Sequence, residues 1–262
     1  MDFGIKGKNA LVFGGSKGLG RGCADALAAE GVNVAIVARD AALVAQAAHE
    51  IAQAHGVAVA GHAADSGDAA ATARVIDAVL ERFGSIDILV NNTGGPPPSG
   101  VVDVAPDVWL AQFQAMVASV VRITDRVLPG MRAQGWGRVL TIASTTVVEP
   151  VATLGLSNTL RAALVGWSKT LASEVAHDGV TANLILPGSI ATDRVAFLDA
   201  AAAQRRGIGV DEARAAKAAA IPAGRYGTIA EFGAVAAFLA SRQAAYVTGS
   251  MVRVDGGSVK SV

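Results

Sequence analysis

One cysteine, Cys23, stands in a chain of 262 residues. No disulfide can close within the chain, and no cysteine cluster can hold a metal. The four histidines, His49, His55, His62 and His177, fall at no recognised metal-ligand spacing, so no metal site is expected. Tyrosine is nearly as rare, with only Tyr226 and Tyr246. Neither sign of charge is in excess: lysine plus arginine and aspartate plus glutamate number 22 each. That balance provides no electrostatic case for nucleic acid or for an anionic membrane. There is no run of 18 apolar residues, so no membrane span is expected. The opening MDFGIKGKNALVFGG has no basic start followed by an apolar stretch and a cleavage site. The expectation is therefore a cytoplasmic protein whose partner is a small molecule.

Apolar residues dominate instead, at 52% against 17% charged, which excludes a disordered chain. Short apolar runs recur at Asn9–Phe13, Asn33–Ala38, Val57–Ala60, Ile86–Val90, Arg138–Ala143, Val180–Leu186 and Met251–Val254. They are rich in β-branched residues, as buried parallel strands are. Longer amphipathic stretches separate them, one carrying the helical stripe Leu160, Leu164, Trp167 and Leu171. The alternation predicts one α/β domain over residues 1–262, with a parallel, doubly wound sheet covered on both faces. Two segments interrupt it: the rigid loop Asn91–Gly100 (NNTGGPPPSG) and the Ala-rich stretch 188–224. Both leave the carboxyl ends of strands, where open α/β sheets bind ligands, so 188–224 is the candidate substrate-covering lid.

After the first strand comes Gly14-Gly15-Ser16-Lys17-Gly18-Leu19-Gly20, followed by the helix-compatible stretch Arg21–Glu30. Gly14 permits a sharp turn, Gly18 a close approach of backbone to a pyrophosphate, and Gly20 tight packing of helix on strand. Amides at the helix start then face the phosphates. At the tip of the second strand an acidic residue would bond an adenosine ribose and repel a 2′-phosphate. Here Ala38 is followed by Arg39, with Asp40 one further on, and Lys17 lies in the loop. Two cations and no carboxylate at the tip favour NADP over NAD.

These residues resemble the short-chain dehydrogenase/reductase family over nearly the whole chain, most of all its 3-oxoacyl-acyl-carrier-protein reductase branch. Gly14, Gly18 and Gly20 match that family's cofactor loop, with Phe13 where threonine is usual. Asp65 matches its adenine-contacting acid. Asn91-Asn92-Thr93-Gly94 is similar to its Asn-Asn-Ala-Gly stretch, in which Asn92 and Gly94 would line the cofactor. Pro187-Gly188-Ser189-Ile190-Ala191-Thr192 resembles its nicotinamide segment, placing Pro187, Gly188, Ile190 and Thr192 at the cofactor, beside Ser16 and Leu19 of the loop. The resemblance implies a Rossmann fold with seven parallel strands in a single domain. It also implies a homotetramer or homodimer.

The family's usual chemistry uses Asn, Ser, Tyr and Lys, and the pattern fails here. Ser144 stands where the family serine should be. Ser157 occupies the tyrosine position, Arg161 the lysine position and Met116 that of the asparagine, and no Tyr-x-x-x-Lys occurs anywhere. A serine hydroxyl is a far weaker acid than a phenol of pKa near ~10. Arg161 stays protonated, so it can hold an oxyanion but cannot shuttle protons. General acid catalysis contributes roughly 10²–10⁴-fold, so its loss would leave a slower reductase supported by positioning and electrostatics. The expected function is an NADP-dependent oxidoreductase acting on a small carbonyl or alcohol, of which a 3-oxoacyl thioester is one form. Ser144, Ser157 and Arg161 would face the substrate. The alternative is a cofactor-binding protein without redox turnover. A non-redox serine enzyme ranks last, since no histidine is placed beside either serine.

Overall fold

The computed structural model describes residues 2–261. Seven strands, all parallel, form one sheet in the order β3-β2-β1-β4-β5-β6-β7. They are β1 (Asn9–Phe13), β2 (Asn33–Ala38), β3 (Val59–Ala63), β4 (Ile88–Asn91), β5 (Gly137–Ile142), β6 (Val180–Pro187) and β7 (Met251–Val254). The first two and the last coincide with the apolar runs. Three others are shifted by a residue or two at one or both ends, and one is displaced. The displaced strand, β3, begins and ends later than its apolar run at Val57–Ala60. It lies at a sheet edge, and its position is set by pairing from Val34 with Val59 to Ala38 with Ala63. β4 starts two residues late because Asp87 has another task. Its carboxylate accepts from the Asn9 amide at 2.8 Å, and its own amide donates to the Asn9 carbonyl.

Helices α1 (Gly18–Ala29), α2 (Ala41–His55) and α3 (Ala69–Phe83) follow β1, β2 and β3. After β4 come α4 (Pro106–Phe113), a π-helical turn (Gln114–Ala118) and α5 (Ser119–Ala133) in one continuous rod. α6 (Gly155–Val175) links β5 to β6, and α7 (Asp193–Arg206), α8 (Val210–Ala220) and α9 (Ile229–Ala240) link β6 to β7. The two faces of the sheet carry separate apolar cores. One joins Val12, Leu27, Val34 and Ile36 to Phe232 of α9, and the other joins Leu11, Val37 and Leu89 to Ile123 of α5 and Leu171 of α6. This is the layering expected for strands buried on both sides. Three members of the α6 stripe are buried within the chain: Leu160 and Leu164 pack on Met116, Val117 and Val120, and Leu171 joins the second core.

The strand order reverses between β1 and β4, so the loops leaving their carboxyl ends diverge and open a crevice. The 188–224 stretch supplies α7 and α8 above that edge. Asp199 of α7, almost wholly buried, accepts from Lys217 of α8 at 2.9 Å and from the Tyr226 hydroxyl at 2.9 Å. Those two bonds fasten the pair of helices to the segment before α9.

Candidate active site

The glycine loop turns at Gly14 and packs tightly at Gly20, as their spacing predicts. Gly14 and Gly18 adopt φ of +62° and +59°, the left-handed region that favours glycine. A Cβ on Gly20 would stand 2.2 Å from the Gly14 carbonyl oxygen, so helix and loop can touch only without one. A Cβ on Gly14 would meet the Asn92 side-chain nitrogen at 2.4 Å, which sets the loop after β4 against the loop after β1. Gly18 differs: its nearest neighbour would be the Thr192 methyl, at an ordinary 3.7 Å, and Gly94 has nothing within 4 Å. Gly18 answers to its positive φ rather than to a clash, and only at Gly94 would a Cβ meet open space.

The start of α1 is bare. Lys17 is its N-cap residue, no side chain caps it, and its first turn holds no acid. By contrast Asp40, Asp68 and Thr228 cap α2, α3 and α9 with their side chains. The orphan amides of α1 thus point outward from an α-helix N-terminus, the arrangement that receives phosphate. A diphosphate fits this donor set, and neither Gly18 nor Gly94 adds a side chain of its own beside it.

The remaining sequence-derived residues distribute as follows. Ser16 and Leu19 are half-buried beside the loop, with Leu19 packed on the first core. Arg39 is exposed just past β2, and Asp40 is turned to capping α2. Lys17 does not stand free: its ammonium pairs with Asp193 at 3.0 Å, an exposed contact across the crevice. Asp65 is exposed and folds back onto the Gly67 amide. Asn91, fully buried, donates to Thr124 and Thr141 and so ties β4 to α5 and β5. On the far wall, the Pro187 carbonyl accepts from Thr145. Ile190 is buried, and Thr192 caps α7 by accepting from the Val195 amide. Gly188 serves backbone packing, since a Cβ there would lie 2.7 Å from Asp255.

Past β5 the catalytic candidates gather around α6. Ser144 caps a short 3₁₀ turn (Thr145–Val147), its Oγ accepting from the Thr146 amide at 3.2 Å, which leaves the hydroxyl proton free to donate. Ser157 and Arg161 lie one turn apart on α6, both buried. Arg161 donates through Nη1 to the Ile142 carbonyl at 3.0 Å and through Nε to Ser157 Oγ at 3.4 Å. Burial, reinforced by the nearby Arg194 guanidinium, pushes the Arg161 pKa down to about 10, so it remains charged at neutral pH. Met116 is sealed in apolar contacts and offers nothing polar. Tyr226 is committed to Asp199, with burial foremost in pushing its pKa up to about 12, and Tyr246 is fully exposed. Among the described residues no group of three or more His, Cys, Asp or Glu is arranged for a metal, and no helix is long and apolar enough to cross a membrane.

Sequence reasoning missed Arg194. It sits at the second residue of α7, and its Nη2 donates to the Pro96 carbonyl at 2.7 Å. The guanidinium lies against Gly95 and within 5.7 Å of the Phe197 ring. The available signal was a cation in the first turn of a helix, where the helix dipole disfavours it.

Comparison with known proteins agrees with this geometry. A family model described as enoyl-(acyl carrier protein) reductase matches residues 14–259. The chain is 38% identical over 257 residues to a D-beta-hydroxybutyrate dehydrogenase of Cupriavidus necator, covering 97% of this chain and 99% of that one. It is 36% identical over 255 residues to the 3-oxoacyl-[acyl-carrier-protein] reductase FabG of Escherichia coli, covering 97% and 98%. The crystal structure of L-sorbose reductase from Gluconobacter frateurii, complexed with NADPH and L-sorbose, superposes over 100% of both chains with a TM-score of 0.94 at 33% identity.

Proposed function

Because the chain belongs to the short-chain dehydrogenase/reductase family, we propose that it is an NADP-dependent oxidoreductase interconverting a small carbonyl and its alcohol. The observation that carries this reading is the uncapped start of α1 behind Gly14, Gly18 and Gly20. The choice of NADP rests on charge. No carboxylate presents itself at the tip of β2, and Arg39 is exposed with no acid within salt-bridge distance among the described residues. Lys17, engaged with Asp193, contributes less than its sequence position suggests. The NADPH held by the sorbose reductase agrees with the same choice.

Bound NADPH would supply the hydride; the remaining work falls to the chain. The Ser144 hydroxyl would donate to the carbonyl oxygen and polarise it. Ser157, backed by the fixed charge of Arg161, would stabilise the alkoxide as charge develops, with the proton drawn from water. Arg161 would also hold the nicotinamide ribose. Asp65, Asn92, Gly94, Pro187, Gly188, Ile190 and Thr192 would line the nucleotide, and α7–α8 would cover the substrate. A 3-oxoacyl thioester is a candidate substrate, as in the name of the Escherichia coli relative. Calorimetric titration with NADP and NAD, followed by NADPH oxidation against a panel of ketones and oxoacyl thioesters, tests the reading. Tight NADP uptake with turnover on a panel member is expected; no uptake of either nucleotide at millimolar concentration overturns it.

The absence of a phenol at the reacting end favours a second reading, a cofactor-binding protein without redox turnover. Restoring Ser157→Tyr, Arg161→Lys and Met116→Asn together should then create reductase activity. A parent already as fast as the triple variant eliminates this alternative. Light scattering would test the implied dimer or tetramer.

A further inference from the structure

Arg122 of α5, half-buried, reaches the loop that links β3 to α3. Its Nη2 donates to the Ser66 carbonyl at 3.0 Å and to the Gly67 carbonyl at 3.3 Å. Among the described residues it has no acid within 4 Å. Its Nε is buried without a partner, so the guanidinium holds these carbonyls at a cost. The same loop is also tied from within. Asp65 Oδ1 accepts from the Gly67 amide at 2.8 Å, and the Asp65 carbonyl accepts from the Asp68 amide at 3.0 Å. A Cβ on Gly67 would stand 3.3 Å from Asp65 Oδ1, tighter than ordinary contact, so glycine there lets the carboxylate close on the amide. Among the described residues Asp65 Oδ2 accepts no bond. An exposed carboxylate thus keeps one oxygen for a donor from outside. The turn that aims it is gripped from a helix 56 positions away in sequence.

We propose that Arg122 is a positioning residue for the adenine end of the cofactor: through the Ser66 and Gly67 carbonyls it fixes the turn from which Asp65 accepts the adenine 6-amino group. This role rests on the proposed NADP-dependent reading, which puts Asp65 beside the nucleotide. The contact is selective. A carboxylate accepts from the 6-amino group of adenine, whereas hypoxanthine presents an oxygen at that place and is repelled. Without Arg122 the two carbonyls lose their donor, and the turn gains conformational freedom that its internal bonds do not remove. Arg126, one helical turn along α5, shares the face of Arg122 and is the control. It pairs with Asp77 of α3 at 2.6 Å and bonds no residue of the loop.

NADP+ and its hypoxanthine analogue, deamino-NADP+, are titrated calorimetrically into the parent protein and its variants. The parent should bind NADP+ about 10-fold or more tightly than the analogue, the scale of one charge-assisted hydrogen bond. Arg122→Met should bring the two nucleotides within about 3-fold, and Asp65→Ala should do the same. In the double variant the second substitution should change the ratio no further. Arg126→Met should keep the parent ratio. A merely structural role for Arg122 would weaken both nucleotides alike, so a parent-like ratio in Arg122→Met overturns the proposal. An equal fall of the ratio in Arg126→Met, or a parent-like ratio in Asp65→Ala, overturns it too. Should Arg122→Met not fold, Arg122→Gln is read by the same ratio and the same outcomes. Equal binding of both nucleotides by the parent also overturns the proposal, and leaves the oxidoreductase reading standing. Uptake of neither nucleotide by the parent overturns that reading, and the role of Arg122 falls with it.

Discussion

Gly18→Ala isolates the approach of a ligand to the backbone from the packing of the loop. An alanine there must hold φ near +59°, which costs an L-residue about 1–2 kcal/mol. Its Cβ meets nothing closer than the Thr192 methyl at 3.7 Å, so no overpacking is added. In a chain of this size the melting temperature should fall by roughly 2–8 °C. The methyl group would occupy the space through which a phosphate oxygen reaches the amides of α1. Loss of one charge-assisted hydrogen bond of about 1.5–3 kcal/mol weakens NADP by roughly 10- to 150-fold. At 100 times the parent's dissociation constant, NADP should stabilise the parent by about 2.7 kcal/mol and the variant by a fraction of that. Gly20→Ala cannot separate these effects, because its Cβ would strike the Gly14 carbonyl at 2.2 Å and distort the loop itself. Thermal melts with and without NADP, joined to calorimetry, provide the assay. A Gly18→Ala variant with the parent's NADP affinity would refute the placement of the diphosphate.

Arg39→Ala should weaken NADP by about 10-fold and leave NAD unchanged, as removal of one charged phosphate contact does; equal effects on both nucleotides would remove the argument for NADP. Arg161→Met should leave stability unchanged or raise it by about 1 kcal/mol or more, while turnover falls. Burial holds the folded pKa of Arg161 below its ordinary value of 12.5, so its charge is a cost at any pH below about 10, and denaturant melts of parent and variant at pH 7 will read it. Glu231 is held down to about 2, foremost by the Arg225 guanidinium and then by the Thr228 amide and hydroxyl. A depressed carboxylate stabilises fully above its unfolded value of 4.5 and loses that contribution as pH falls through about 2. The melting gap between parent and Glu231→Gln should therefore be full at neutral pH and close in strong acid. Lys217→Met leaves buried Asp199 with only the Tyr226 hydroxyl, which should cost about 1–3 kcal/mol and speed amide exchange in α7 and α8.

The order of elements was legible because each strand is an apolar run and each crossover a longer amphipathic one. β1 and β2 could be bounded to the residue, since side chains buried or half-buried against neighbours mark their ends, and β7 was bounded as well although its first residue, Met251, is exposed. β3 could not. Its half-exposed edge includes Gly61 and His62, and its limits come from pairing with β2, which is a property of two segments rather than of one. The head of β4 failed for a related reason. Asp87 looks like part of an apolar run, yet its carboxylate serves the Asn9 amide, 78 positions away in sequence. Local pattern carries the fold as far as packing is local, and contacts across the sheet correct it.

The site divides along the same line. Gly14, Gly18 and Gly20 could be found from spacing because much of what they answer to is local: two left-handed turns and the approach of Gly20 to the Gly14 carbonyl, all within seven residues. The absence of any Tyr-x-x-x-Lys pair was equally plain, since it is a matter of residue types four apart along the chain. What Ser157 and Arg161 are for was not plain, because Arg161 taken alone looks like a weaker substitute for a proton relay. Its setting changes that reading. Arg194 comes from a different helix 33 positions later, is anchored to a carbonyl in the loop after β4, and adds a second charge to one the fold has already buried. A proton relay gains nothing from two groups that both stay protonated at neutral pH. Ser157 and Arg161 are in any case a pair fixed by the fold, a buried hydroxyl accepting from a permanently charged guanidinium, and not a proton relay.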